Sequence, residues 1–318
     1  MTHKLLITRH MPQSVVQAAH KQFDVTHLDT ASYLAPEKMR AALQEFDAIM
    51  PTLGDPLDAA AFINLPKPRC KILANFGVGV NHIDLGAANA VGIIVCNTPD
   101  AVTDATADIA VMLMLMAARR ASEGEALVRS GNWQGWEPTQ LMGLHMSGKT
   151  LGVIGMGRIG QAVARRAHFG FGMKVVFHNR SQVNDLDYAS QLTDAQAVAK
   201  AADVVVIAVP GGAQSHHLIG KAFFQAMQSH AVFVNIARGD VVNELDLIAA
   251  LTSGEISGAG LDVYENEPVV PQALREMANV TLLPHMGTSA LEVRENMGHM
   301  AVENLLAWSH GKTPPNQV

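Results

Sequence analysis

Short apolar runs alternate with helical segments along most of this chain, and they do so in two separate series. In the first series Lys4–Thr8, Val25–Leu28, Ala48–Met50, Lys71–Ala74 and Gly92–Cys96 read as strands, with helices over Pro12–Lys21 and Pro36–Phe46. In the second, Thr150–Ile154, Lys174–His178, Val204–Val209, Ala231–Ile236, Ala259–Val263 and Val280–Leu283 read as buried strands, mostly separated by helices. Apolar strands spaced by helices point to parallel sheets covered on both faces. The expected fold is therefore α/β, with two doubly wound parallel-sheet domains. The 318 residues, 48% hydrophobic and 16% charged, suffice for two such cores.

Between the two series lies a segment of another kind. Thr103 or Asp104 can cap a helix, and Ile109–Ala118 is apolar on every side. Such a helix is expected to be buried all round, between domains or between subunits. Its methionines read as core or interface packing. A last helix is expected over Ala290–Trp308.

The charge balance excludes several partners. Lys and Arg number 23 and Asp and Glu 29, a net charge of −6, without basic runs. Nucleic acid and anionic membrane surfaces are poor matches for such a chain. Cys70 and Cys96 are the two cysteines. They form neither a disulfide framework nor a CxxC pair and read as buried thiols in a reducing compartment. The N-terminus lacks the apolar stretch of a signal peptide, and no run approaches the ~18 apolar residues of a membrane span. A cytoplasmic location is expected. No metal site is expected either: His216-His217 is an adjacent pair without metal-ligand spacing.

Gly155-Met-Gly157-Arg-Ile-Gly160 fits the GxGxxG pattern and sits between the strand-like Leu151–Ile154 and the helical Ile159–Phe169. In that context the first glycine makes a tight turn, the second lets backbone approach a pyrophosphate, and the third lets helix and strand pack closely. The helix N-terminus offers unpaired N–H groups and partial positive charge to phosphates. In NAD sites a carboxylate about 20 residues further on accepts the ribose 2′-hydroxyl. Here the next strand ends in Asn179-Arg180-Ser181, with no acid at its tip. Asn and Ser can hydrogen-bond a 2′-phosphate and Arg180 can pair with it. This favours NADP(H) over NAD(H) as cofactor. NAD(H) stays open, because Arg180 could equally be a solvated loop residue.

Ligands of open α/β sheets lie beyond the carboxyl ends of the strands. Arg238 follows one strand, Asp262 ends the next, Glu267 lies in the loop after it, and His285 follows Leu283-Pro284. Each alone is ambiguous. Together they suit reduction of a keto acid: a histidinium protonates the carbonyl oxygen, a glutamate favours the charged histidine, and an arginine binds a carboxylate and polarises the carbonyl.

The glycine loop, Asn235-Ile-Ala-Arg238-Gly, Gly260-Leu-Asp-Val-Tyr-Glu-Asn-Glu267-Pro and Pro284-His285-Met-Gly-Thr resemble the D-isomer-specific 2-hydroxyacid dehydrogenases. So do Asn75-Phe-Gly-Val-Gly-Val and Asn97–Asp108, and the likeness is strongest to the glyoxylate/hydroxypyruvate reductase branch. The resemblance covers nearly the whole chain. It implies Arg238, Glu267 and His285 as the catalytic set, and substrate binding by Val78, Gly79, Arg238, His285 and Trp136. It places Thr106, Gly155, Gly157, Arg158, Ile159, Gly160, Asn179, Arg180, Ser181, Pro210, Ile236, Ala237, Arg238, Asp262, His285 and Gly287 around the cofactor. It implies a Rossmann cofactor domain over residues 101–287 and a split, flavodoxin-like substrate domain over 1–100 and 288–318. It also implies a homodimer, with Ile109–Ala118 and Trp133–Trp136 at the interface. The tryptophans fit either plain interface packing or, for Trp136, a reach toward the neighbour's substrate.

Two departures stand out. Asn81 replaces an acid common in the family, and Pro210-Gly-Gly-Ala-Gln replaces a loop of Pro-Leu-Thr-Pro type near the nicotinamide side. The expected reaction is reduction of glyoxylate or hydroxypyruvate to glycolate or D-glycerate. The rival expectations are a dehydrogenase for a bulkier D-2-hydroxy acid and a non-catalytic nucleotide-sensing binding protein.

Overall fold

The computed structural model describes residues 2–65 and 67–318. The chain divides into two compact units, Met1–Val102 with Thr288–Val318, and Thr103–Gly287.

The first unit holds strands β1 (Lys4–Ile7), β2 (Asp24–His27), β3 (Ala48–Met50), β4 (Ile72–Ala74) and β5 (Ile94–Cys96). They form a parallel sheet in the order β2-β1-β3-β4-β5. Successive side chains of a strand point to opposite faces, and here both faces are apolar. Leu6, Ile49, Leu73 and Val95 pack on one side with Met39 and Leu43 of the helix Pro36–Glu45. Leu5, Ile7, Met50 and Ile72 pack on the other with Val15 and with Ala301 and Leu305 of the helix Leu291–Ser309. Fully burying a Leu or Ile contributes about 1.5–3 kcal/mol, and Leu5, Ile7, Ile49 and Leu73 are all at 0% exposure. The last residues return to the sheet edge: Gln317 pairs with Cys96, and Val318 N–H donates to Val95 O at 3.0 Å.

The second unit holds β6 (Thr150–Ile154), β7 (Lys174–His178), β8 (Ala189–Gln191), β9 (Val204–Ile207), β10 (Val232–Asn235), β11 (Gly258–Leu261) and β12 (Val280–Leu282). Their order is β12-β11-β10-β9-β6-β7-β8, parallel throughout. This is the doubly wound Rossmann arrangement, and its strand order reverses between β6 and β9. The crevice beyond that switch point is where such sheets take their ligands, and the Gly155–Gly160 loop leaves β6 there.

Two local features go beyond the sequence reading. The helix Thr103–Ala118 is not buried all round within the chain. Ala107, Ala110, Leu113 and Met114 face the second sheet, while Ile109, Val111, Met112, Leu115 and Met116 stay half-buried. β8 was not legible as a strand. It is an edge strand of sequence Ala-Ser-Gln, only partly buried, and it pairs with β7 alone, so no apolar run announces it. Among the described residues no helix is long and apolar enough to cross a membrane.

Candidate active site

The three glycines of the β6 loop have separate physical tasks. Gly155 has φ +96°, a region L-residues with side chains seldom adopt. A Cβ on Gly157 would meet nothing within 4 Å, so its backbone faces open space. A Cβ on Gly160 would lie 2.1 Å from the Gly155 carbonyl oxygen, too close to exist. Gly157 precedes the helix Arg158–Phe171 and supplies no side-chain cap. The open glycine face and a helix N-terminus together suit the pyrophosphate of a dinucleotide.

Asn179, at the tip of β7, is tied into this loop. Its Oδ1 accepts the Met156 N–H at 3.2 Å, and its Nδ2 donates to Ser181 O and Oγ at 3.1 and 3.2 Å. Gln191 of β8 donates to the carbonyls of Asn179 and Ser181 at 3.2 and 3.1 Å. Arg180 donates from Nη1 to Gln214 Oε1, and Arg180 and Ser181 are exposed. Gln191 was not legible in the sequence, since it lies in no recognisable motif, whereas Gln214 ends the Pro210-Gly-Gly-Ala-Gln loop that the sequence singled out. Pro210 opens the loop that carries Gln214, and its carbonyl accepts the Ser215 hydroxyl at 2.7 Å.

Arg238 leaves β10 through a turn that Asn235 builds. The Asn235 amide donates to Arg238 O and accepts from Ala237 N–H, both at 3.0 Å. Arg238 Nη1 donates to Ala237 O at 2.7 Å, while Nε is buried without a hydrogen-bond partner among the described residues. Burial pulls the guanidinium below its ordinary pKa, opposed by Glu267 and Asp240. An arginine remains charged under such a shift. Gly239 follows at a close approach: a Cβ there would lie 1.8 Å from the Tyr264 carbonyl carbon.

His285 Nδ1 and Glu267 Oε2 are 2.8 Å apart. Glu267 Oε1 accepts the Tyr264 N–H at 3.0 Å, and the Tyr264 hydroxyl donates to Leu283 O at 2.9 Å. Burial alone would raise the Glu267 carboxyl. The hydrogen bond and charge of His285, with the Tyr264 amide and Arg238, outweigh it and hold the carboxyl below its ordinary value. Glu244 accepts the Glu265 N–H at 3.0 Å and braces the same turn. His285 has φ +54°, a strained conformation for a residue with a side chain. Asp262 holds it: the Asp262 carbonyl accepts the His285 N–H at 2.9 Å, and its carboxylate accepts the Met286 and Gly287 N–H groups at 2.6 and 2.8 Å. Burial raises the Asp262 carboxyl, opposed by these amides and by His285.

Arg238, Asp262, Glu267 and His285 thus leave the carboxyl ends of adjacent strands β10, β11 and β12. Thr106 donates to Gly287 O at 3.3 Å, and Ile236 and Ala237 are buried beneath the Arg238 turn. Val78 and Gly79 belong to the other unit, in the turn after β4. Trp136 is 81% exposed, and Trp133, also exposed, donates to Gln140 at 3.3 Å. His217 pairs with Glu265 at 2.7 Å and stacks on His216. Tyr264, Glu244 and Asn235 are site residues that sequence reasoning passed over. Only Asn235, directly after an apolar strand in Asn-Ile-Ala-Arg-Gly, carried a usable signal.

Residues 111–287 match the family model described as the D-isomer specific 2-hydroxyacid dehydrogenase, NAD binding domain. A glyoxylate reductase from Pyrococcus horikoshii is 38% identical over all of this chain and 96% of its own length. Among solved structures, a protein described as an NAD-binding D-isomer specific 2-hydroxyacid dehydrogenase from Polaromonas superposes with TM-score 0.92 at 34% identity, covering all of both chains. An NADPH-dependent glyoxylate/hydroxypyruvate reductase from Sinorhizobium meliloti, solved with NADP and malonate, gives TM-score 0.89 at 32% identity over all of this chain and 97% of that one. By the match of its second unit and by full-length relatives of this similarity, the chain belongs to the D-isomer specific 2-hydroxyacid dehydrogenase family.

Proposed function

We propose that this protein reduces glyoxylate and hydroxypyruvate to glycolate and D-glycerate, with NADPH preferred to NADH. The observation that carries this reading is the 2.8 Å contact of His285 Nδ1 with Glu267 Oε2 on the sheet edge that also bears Arg238 and the glycine loop. The nicotinamide, when bound in its reduced form, supplies the hydride that adds to the substrate C2 carbonyl carbon. With Nδ1 engaged by Glu267, Nε2 of His285 is the nitrogen that donates a proton to the carbonyl oxygen as charge develops there. Glu267 stays ionised and favours the imidazolium before transfer. After transfer His285 is neutral and regains its proton from solvent. Arg238 binds the substrate carboxylate and polarises the carbonyl. Its buried, unpartnered Nε is a donor in search of an acceptor. The Val78 and Gly79 amides are carboxylate donors in this reading. Asp262 orients the segment that carries His285.

The NADPH preference rests on Arg180 and Ser181, exposed at the tip of β7 where an NAD site has an acid. The named cofactor of the Sinorhizobium relative is in keeping with it. The protein acts as a cytoplasmic homodimer in this reading. The half-buried Ile109, Val111, Met112, Leu115 and Met116 and the exposed Trp133, Trp136 and Met142 suit burial against a second copy, with Trp136 reaching the neighbour's substrate. Cys70 and Cys96 are unpaired and buried, in keeping with a reducing compartment.

The test follows nicotinamide absorbance with glyoxylate and with hydroxypyruvate, comparing NADPH and NADH at equal concentration. Fast oxidation with NADPH and slow oxidation with NADH is expected. Turnover favouring NADH would sink the cofactor preference, and no turnover with either would sink the substrate assignment. Light scattering on a sizing column tests the dimer.

A further inference from the structure

The turn after β4 reads Asn75-Phe76-Gly77-Val78-Gly79, and side chains tie down its carbonyls. Asn75 Nδ2 donates to Gly77 O at 3.0 Å and to Gly79 O at 3.1 Å. Asn97 Nδ2 donates to Val78 O at 2.9 Å. Thr98 closes the start of the turn: its N–H donates to Gly77 O, and its Oγ1 accepts the Gly77 N–H, both at 3.1 Å. In a planar trans peptide the C=O and N–H groups point in opposite directions. Anchoring the carbonyls of residues 77, 78 and 79 therefore turns the N–H groups of Val78, Gly79 and Val80 away from the asparagines.

Asn75 is only 1% exposed, and its Oδ1 is buried without a hydrogen-bond partner among the described residues. The side chain is thus used for its two donor hydrogens alone. An aspartate, which is acceptor-only when ionised, could replace neither. Asn97 leans on a second layer of amides. Its carbonyl accepts from Asn304 Nδ2 at 3.1 Å, and its N–H donates to Asn316 O at 3.1 Å. Asn304, at 0% exposure on the helix Leu291–Ser309, accepts the Asn316 N–H at 3.1 Å. A continuous run of asparagine contacts therefore links the turn to the C-terminal residues that extend the sheet edge.

We infer that Asn75 and Asn97 are positioning residues that preset the Val78 and Gly79 amides to receive the substrate carboxylate. This rests on the role proposed above for those amides. Amides aimed in advance bind a carboxylate without reorganising first. Their loss should weaken substrate and any small dicarboxylate alike, while proton transfer at His285 proceeds once substrate is bound.

The experiment compares wild type, Asn75→Asp and Asn97→Ala as full-length proteins. Glyoxylate kinetics are measured with NADPH, and malonate binding to the NADPH-saturated enzyme is measured by calorimetry. In both variants KM for glyoxylate and Kd for malonate should rise about tenfold or more, while kcat falls less than about threefold. NADPH affinity should move less than about twofold. A cooperatively melting variant with unchanged KM and malonate Kd overturns the inference, and so does a fall in kcat at constant KM. If Asn75→Asp does not fold, Asn97→Ala, at a partly buried side chain, decides alone. Wild type that neither reduces glyoxylate nor binds malonate overturns the parent reading and this inference with it. An active wild type with unaltered variants overturns this inference only.

Discussion

Glu267 and His285 are 18 residues apart in the chain and 2.8 Å apart in space. The carboxylate that meets the imidazole through Oε2 also accepts the Tyr264 N–H through Oε1, so one group orients the ring and braces the turn that presents it. A carboxylate held against Nδ1 in this way fixes which ring nitrogen is engaged, and it makes the pair testable from both ends.

Replacing His285 by glutamine keeps the side chain polar and removes the titratable proton. Turnover should fall by about 10²–10⁴-fold, with NADPH affinity within about twofold. Steady-state rates and a fluorescence titration with NADPH check both. Parallel loss of turnover and NADPH binding would show that His285 supports the fold or the cofactor rather than proton transfer.

Glu267 links the pair to stability. Its carboxyl is depressed in the folded protein, because the His285 hydrogen bond and charge outweigh burial. A depressed carboxyl stabilises the fold above its unfolded pKa of about 4.3 and loses that contribution as pH falls through the lower folded value. Wild type should therefore lose stability over that acidic window more steeply than Glu267→Gln. Urea midpoints from neutral pH down to about 3 measure the two slopes, and equal slopes would refute the linkage.

Gly239 sits where backbone meets backbone. An alanine Cβ would lie 1.8 Å from the Tyr264 carbonyl carbon and 2.0 Å from its oxygen, and a main chain cannot yield as a flexible side chain can. Gly239→Ala should cost about 1–3 kcal/mol and displace the Arg238 and Glu267 turns from each other. Thermal melts and kcat/KM should both fall. An unchanged melting temperature would mean that the two turns separate freely.

Arg180 is the direct test of cofactor choice. Arg180→Ala removes an exposed cation whose present partner is the neutral Gln214. KM for NADPH should rise about tenfold while KM for NADH moves less than about twofold. Equal effects on both cofactors would place the 2′-phosphate elsewhere.

Reading from sequence succeeded where the signal is local. The alternating apolar strands, the Gly155–Gly160 loop and the ionisable residues directly after β10, β11 and β12 lie within short windows whose period or spacing reflects burial and turn geometry. It failed for β8, whose Ala-Ser-Gln has no apolar run. Asn179, expected at the cofactor, has both ends of its amide engaged, with Met156 on one side and Ser181 on the other. Tyr264 and Glu244 escaped notice because a tyrosine and a helix-initiating glutamate have many ordinary uses.

The amino-acid order alone was enough to settle an α/β chain with a dinucleotide-type glycine turn and an Arg, Glu and His on one sheet edge, since hydrophobic period and strand ends are properties of neighbours in the chain. The contact of His285 Nδ1 with Glu267, the bracing by Tyr264, the orphaned Nε of Arg238 and the asparagines behind Val78 and Gly79 were decided only in three dimensions. Hydrogen bonds require donor and acceptor within about 3 Å. Whether residues remote in sequence come that close depends on how whole sheets and turns pack, which no local window encodes.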